Sequence, residues 1–280
     1  MSNECKVSYS ISTHGAQDLT YTYDPTGNIT LLSDASNNSA PKVVAFTYDQ
    51  YNRLTSASTT PASPVLFREA YTYNAIGNLI TKTGVGTSTY ASTNYANPHA
   101  PTTVGSLALT YDNNGSLTSF ASTTYAYDYL SRLTSVSTPG TATSSYTYDS
   151  SGARVSQTIL STTTLYPSKF YSITSTTNGA TTTATSTDYL YQGDTLLATI
   201  DQLFINGTAT GTPTTRYIHP DHLGSTNLVT DVNANIVQAL DYFPYGATRI
   251  ASSTPGTDSK RKYIGQFTDS TNLSYLNARY

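Results

Sequence analysis

One short pattern, an aromatic residue, any residue, then Tyr-Asp, recurs along this chain and constrains its fold more than any other feature. It stands as Tyr21-Thr22-Tyr23-Asp24, Phe46-Thr47-Tyr48-Asp49, Tyr125-Ala126-Tyr127-Asp128 and Tyr146-Thr147-Tyr148-Asp149. Two variants, Tyr71-Thr72-Tyr73-Asn74 and Leu109-Thr110-Tyr111-Asp112, complete the set. The same punctuation follows each time: Asp24-Pro25-Thr26-Gly27-Asn28-Ile29 has counterparts at 74–79 and 112–117, and at 49–54 and 128–133 Asn or Ser replaces Gly and Arg follows. Side chains alternate across a strand, so Tyr-x-Tyr sets two rings on one face. The Asp or Asn accepts hydrogen bonds from turn amides two residues on, and Gly or Asn supplies a positive φ. The chain then returns as a second strand, with Ile29, Leu54, Leu79, Leu117 and Leu133 expected to point into the core. One repeat is one β-hairpin.

A lone hairpin is marginal in water, so such units must lie side by side to bury their apolar faces. The expected fold class is all-β: a spiral ribbon of stacked antiparallel hairpins. Tyr23, Tyr48, Tyr73, Tyr111, Tyr127 and Tyr148 form its aromatic ladder, and Asp24, Asp49, Asp112, Asp128 and Asp149 hold its turns. Arg53, Arg132 and Arg154 are placed to lie across a tyrosine face or to meet a turn aspartate. From Leu160 to Asp188 the pattern loosens into Thr and Ser around Asn178-Gly179, which reads as a long hairpin, and Asn206-Gly207 marks another tight turn.

Composition supports this reading and closes off others. Tyr occurs 25 times and Trp never, while only two glutamates, Glu4 and Glu69, are present; good helix formers are scarce and strand formers abundant. Charged residues make up 11% of the chain, the net charge is −3, and the only basic run is Lys260-Arg261-Lys262. A nucleic-acid partner is therefore not expected. Cys5 is the single cysteine, which excludes an intrachain disulfide and a thiolate-based metal centre. The first residues lack the apolar core of a signal peptide, and no apolar run approaches the roughly 18 residues of a membrane helix.

From Tyr217 the sequence changes character. It runs Tyr217-Ile218-His219-Pro220-Asp221-His222-Leu223-Gly224-Ser225, then Asp241-Tyr242-Phe243-Pro244-Tyr245-Gly246, then Tyr263-Ile264-Gly265-Gln266, Asp269, Leu273 and Tyr275 to Tyr280. With the tetrads upstream, this resembles the RHS/YD-repeat proteins, residues 1–216 matching their repeats and 217–280 their repeat-associated core segment, truncated at its C-terminal end. The resemblance implies a shell: a β-ribbon that spirals into a hollow cage around a C-terminal toxin or effector, on a secreted or cell-surface protein. It also implies that relatives cut themselves at the end of the core using aspartates, for which Asp269 is the matching position. Here Thr268 and Asn272 stand where an Arg and a Gly are usual, and the chain stops at Arg279-Tyr280 before the usual Asp-Pro motifs, so self-cleavage is not expected. Roughly 20 strands at about 4.8 Å spacing span roughly 95 Å, which curls into too small a ring to close a cage. The expected partners are thus flanking repeats or an effector domain of a parent protein.

Other chemistry finds weaker support. His219, Asp221 and His222 could ligate zinc if a turn gathered them, but no further ligand cluster is evident, and the blander reading is a turn at Pro220-Asp221 with both rings packed on tyrosines. There is no Gly-x-Ser-x-Gly elbow, phosphate-cradling loop or His-Glu-x-x-His, so no hydrolytic enzyme and no cofactor is expected. A carbohydrate- or cell-surface-binding adhesin is the alternative, because tyrosines over a polar β-face can stack on the glycans of a cell surface.

Overall fold

The computed structural model describes residues 4–9, 17–36, 42–59, 67–90, 97–269, 271 and 273–276. Asn272 and the terminal Arg279-Tyr280 lie outside these. The described chain is all-β, with a single 3-10 turn at Tyr263–Gly265, and it divides into two compact units, residues 1–110 and 111–280.

Within each unit the topology is an uninterrupted antiparallel meander. In the first, Glu4–Tyr9, Gln17–Tyr23, Ile29–Asp34, Lys42–Tyr48, Leu54–Thr59 and Arg68–Tyr73 each pair with the next, and the succession continues to Leu107–Tyr111. In the second it runs from Leu117–Phe120 to Thr248–Ser253. A short pair, Phe267–Thr268 with Ser274–Tyr275, follows. Every tetrad ends a strand at its second tyrosine. Residue 217 falls inside the strand Thr208–Pro220, so the change in sequence character there is carried on continuous backbone.

The Thr/Ser-rich stretch forms long strands, as expected, but makes two hairpins. Thr162–Ser168 pairs with Tyr171–Asn178, which pairs in turn with Thr181–Gln192. Asn178 is the last strand residue, opposite Thr181, so the turn is made by Gly179 and Ala180 rather than by Asn178 and Gly179. The later turn does use Asn206 (φ 49°) and Gly207 (φ 79°), both in the left-handed region that a two-residue hairpin loop demands.

Burial corrects one expectation. Of the five return-strand residues assigned to the core, Leu133 is buried, whereas Ile29, Leu54, Leu79 and Leu117 are half-buried. A sheet face gains a further core where another layer covers it. In the second unit that layer is the segment after the meander: Phe267 and Tyr275 pack with Tyr189, Leu196, Ile218 and Val229, while Leu273 lies against Leu133, Val136 and Tyr146.

Candidate functional site

The repeated turn is the smallest unit from which a site can be built, and its geometry is the same at every tetrad. At Asp24 the backbone N–H donates to the Asn28 carbonyl at 2.9 Å, and the Gly27 N–H returns to the Asp24 carbonyl at 3.0 Å. Asp24 Oδ1 accepts from the Thr26 and Asn28 amides, both at 2.9 Å. Asp49, Asn74, Asp112, Asp128 and Asp149 repeat both the backbone pair and the side-chain pair. The fourth loop residue always has positive φ, whether Gly27 (91°), Asn52 (60°) or Ser131 (58°). Hydrogen bonds to the ionised form, led by the Thr26 and Asn28 side chains, hold the Asp24 carboxyl down at about 2. Ser151 and the loop amides lower Asp149 in the same way.

Two of these turns carry no tetrad and escape a search for one. Asp221 accepts from the Leu223 and Ser225 amides, and Asp231 from those of Asn233 and Asn235. Their signal was present in the loop itself, Asp-x-x-Gly/Ala followed by a polar residue. Asp221, considered as a metal ligand, is thus a turn residue. His219 is buried, with Nε2 3.0 Å from Thr230 Oγ1, and burial pushes the pKa of both His219 and His222 down. Among the described residues, no group of three or more His, Cys, Asp and Glu side chains converges.

Side chains then tie one repeat to the next. At the second tyrosine of five tetrads, Tyr23, Tyr48, Tyr73, Tyr127 and Tyr148, the strand register shifts by one residue, and such a bulge interrupts the ladder. At three of the tetrads the phenol reaches back across the preceding repeat. Tyr48 Oη donates to the Ile29 carbonyl at 2.8 Å, Tyr73 to Leu54 at 2.8 Å and Tyr148 to Leu133 at 2.7 Å. Tyr90 and Tyr242, outside the tetrad set, do the same to Leu79 and Thr226. Arg53 adds a forward link: its Nε meets Asp49 in its own turn at 2.7 Å, its Nη1 donates to the Asn74 carbonyl of the next turn at 3.0 Å, and its guanidinium lies over Tyr73. Arg132 repeats this with Asp128, the Asp149 carbonyl and Tyr148. The first tetrad aromatic has a separate task. Tyr21, Tyr71 and Tyr146 are buried in the sheet face. Among the described residues the most exposed tyrosines, Tyr51 and Tyr129, are loop residues instead.

Arg154 departs from this scheme and organises the second unit. Its Nη1 pairs with Asp269 Oδ2 at 2.7 Å, with both side chains almost wholly buried (1% and 2% exposed). Its backbone N–H donates to Tyr275 Oη at 2.9 Å, and its guanidinium lies 4.5 Å from the ring centroids of both Tyr166 and Tyr275. Burial pushes the Tyr148 and Tyr166 phenols well above their usual range. Asp269, the position matched to self-cleaving relatives, is therefore held as the counter-ion of an arginine more than a hundred residues away in sequence. Sequence spacing carries no signal for that pairing.

Residues 1–280 match the Teneurin YD-shell family. The tRNA3(Ser)-specific nuclease WapA of Bacillus spizizenii is 26% identical over 230 residues, and the tRNA nuclease WapA of Bacillus subtilis is 26% identical over 235. Each match covers 75% of this chain, and the chain spans about 9% of the length of either relative. The crystal structure of TcdB2-TccC3 superimposes with a TM-score of 0.79 at 21% identity, covering 99% of this chain and 16% of that one. A Photorhabdus luminescens Tc holotoxin pore superimposes with a TM-score of 0.77 at 19% identity, covering 98% of this chain and 15% of that one. At these identities the likeness establishes the fold.

Proposed function

The chain belongs to the Teneurin YD-shell family, and from that premise we propose that it is a stretch of shell wall enclosing a C-terminal effector of a longer polypeptide, which the shell shields and delivers at or beyond the cell surface. The chain itself is a structural segment of an RHS-type shell, not an enzyme. The observation that carries the enclosure reading is the repeat-to-repeat bonding: each tetrad turn is braced internally by its Asp or Asn, and phenols (Tyr48, Tyr73, Tyr90, Tyr148) or guanidinium groups (Arg53, Arg132) tie successive repeats together. A wall needs that continuity, whereas a binding module needs only one well-placed surface. In this reading Tyr23, Tyr48, Tyr73, Tyr111, Tyr127 and Tyr148 are the ladder, and Asp24, Asp49, Asp112, Asp128 and Asp149 set the turns. Residues 1–216 supply repeats, 217–280 close them, and flanking repeats of the parent protein cover the remaining sheet edges.

Limited proteolysis of the native polypeptide tests the enclosure. The effector segment is expected to resist protease for as long as the sheet is folded and to become labile in the same urea range in which strand circular dichroism is lost. Cleavage of that segment in native buffer as fast as in its isolated form would defeat the reading.

A further inference from the structure

Arg261 is a buried cation without an acid. Its residue is 7% exposed; Nη1 donates to the Gly265 carbonyl at 3.1 Å; Nε is buried and makes no hydrogen bond. Its guanidinium sits 3.9 Å from the centroid of Phe267 and 5.0 Å from that of Tyr189. Arg154 flanks the same Phe267 ring at 5.8 Å, but its charge is answered by Asp269. Among the described residues no carboxylate pairs with Arg261. Burial accordingly pushes the Arg261 pKa down, which reports a cation held where it is poorly solvated.

Burying an uncompensated charge is costly unless something answers it. The place where something can is a cleft of about 570 Å³ whose lining includes Arg154, Tyr166, Lys169, Arg261, Phe267 and Tyr275. Asp149 is the acid in the cleft's lining, and its Oδ1 already accepts from the Ser151 and Ala153 amides. Lys169 faces Asp194 at 3.6 Å. Arg261 is thus the cation of this cleft with no direct carboxylate partner among the described residues, and its surroundings are aromatic.

We propose that this cleft is a carboxylate-binding subsite, in which the guanidinium of Arg261, backed by Arg154 and walled by Phe267, Tyr166 and Tyr275, receives the carboxylate of an acidic peptide segment. A guanidinium N–H donates a short, charge-assisted hydrogen bond to a carboxylate. One cation without a direct carboxylate partner calls for a single carboxylate, and the aromatic walls favour one carried on a peptide over a fully hydrated small ion. The subsite does not depend on the enclosure reading, since a segment from inside or outside the shell would be held by the same groups.

Thermal shift and isothermal calorimetry on the native polypeptide, with four probes at matched ionic strength, test the proposal: sodium acetate, the capped tripeptide Ala-Asp-Ala, its Ala-Asn-Ala counterpart, and Ala-Ala-Ala with a free C-terminal carboxylate. The Asp peptide is expected to bind about tenfold to a hundredfold more tightly than the Asn peptide, the ratio that loss of a charge-assisted hydrogen bond implies. Preference for the free-terminus peptide would identify a chain end as the source, and acetate binding as tightly as either would identify a free small carboxylate. Arg261→Met keeps the apolar stem and removes the charge; it is expected to melt no lower than wild type and to lose the Asp-over-Asn preference. Equal binding of the Asp and Asn peptides, or a preference that survives Arg261→Met, would overturn the subsite. A large drop in melting temperature in Arg261→Met would overturn it too, because the arginine would then be structural.

Discussion

Replacing Tyr148 by phenylalanine removes one oxygen and leaves the ring in place. That oxygen donates to the Leu133 carbonyl at 2.7 Å, across the boundary between two repeats. The ring still packs beside Leu133, Val136 and Tyr146, and still lies beneath Arg132 at 5.1 Å. A neutral hydrogen bond contributes roughly 0.5–1.5 kcal/mol net, and an acceptor left dry costs roughly 1–3 kcal/mol. Leu133 is 3% exposed, so water reaches its carbonyl poorly once the phenol is gone. Tyr148→Phe is therefore expected to cost about 1–2 kcal/mol, with the urea m-value unchanged because the surface exposed on unfolding is the same. Tyr129→Phe, at an 88% exposed loop position, is the control. Urea unfolding followed by far-ultraviolet circular dichroism and tyrosine fluorescence measures both. If Tyr148→Phe falls within about 0.3 kcal/mol of the control, the phenol link contributes nothing and the account of repeat-to-repeat bonding is wrong.

The Arg154–Asp269 pair is expected to behave as a buried ion pair: Asp269→Leu alone costs about 3–5 kcal/mol by stranding the guanidinium, and Arg154→Met/Asp269→Leu recovers most of it. A double-mutant cycle in urea with no coupling would refute this. In acid, hydrogen bonds that depress Asp24 to about 2 from its ordinary 3.8 make the turn more stable while the carboxyl is ionised. Melting temperature should hold above about pH 4 and fall as pH drops toward 2, a fall that Asp24→Asn should lessen; an unaltered profile in that variant would count against it. Gly246→Ala should destabilise the second unit, because φ is +87° there and a Cβ would lie 2.5 Å from the Tyr263 ring; an unchanged melting temperature would show that the ring has room to move.

Local chemistry was readable from the letters of this chain because its cause is local. Asp followed by a positive-φ residue three positions on makes its own turn with its own amides, and Tyr-x-Tyr before it makes a strand whatever lies alongside. The hairpins, their order and the all-β class follow from that period, as does the meeting of Arg53 and Arg132 with both turn aspartate and tyrosine. What tertiary structure alone decided is where the second tyrosine's phenol goes, since its acceptor belongs to another repeat and is a backbone carbonyl common to every residue type. It also decided which return-strand leucine is buried, because burial depends on which stretch of sheet the segment after the meander covers. Arg154 shows the division most sharply: its place after a turn predicted a neighbourly role like that of Arg132, but the covering segment brings Asp269 and Tyr275 against it. No spacing rule encodes a contact between residues so far apart in sequence; only the folded path of the backbone creates it.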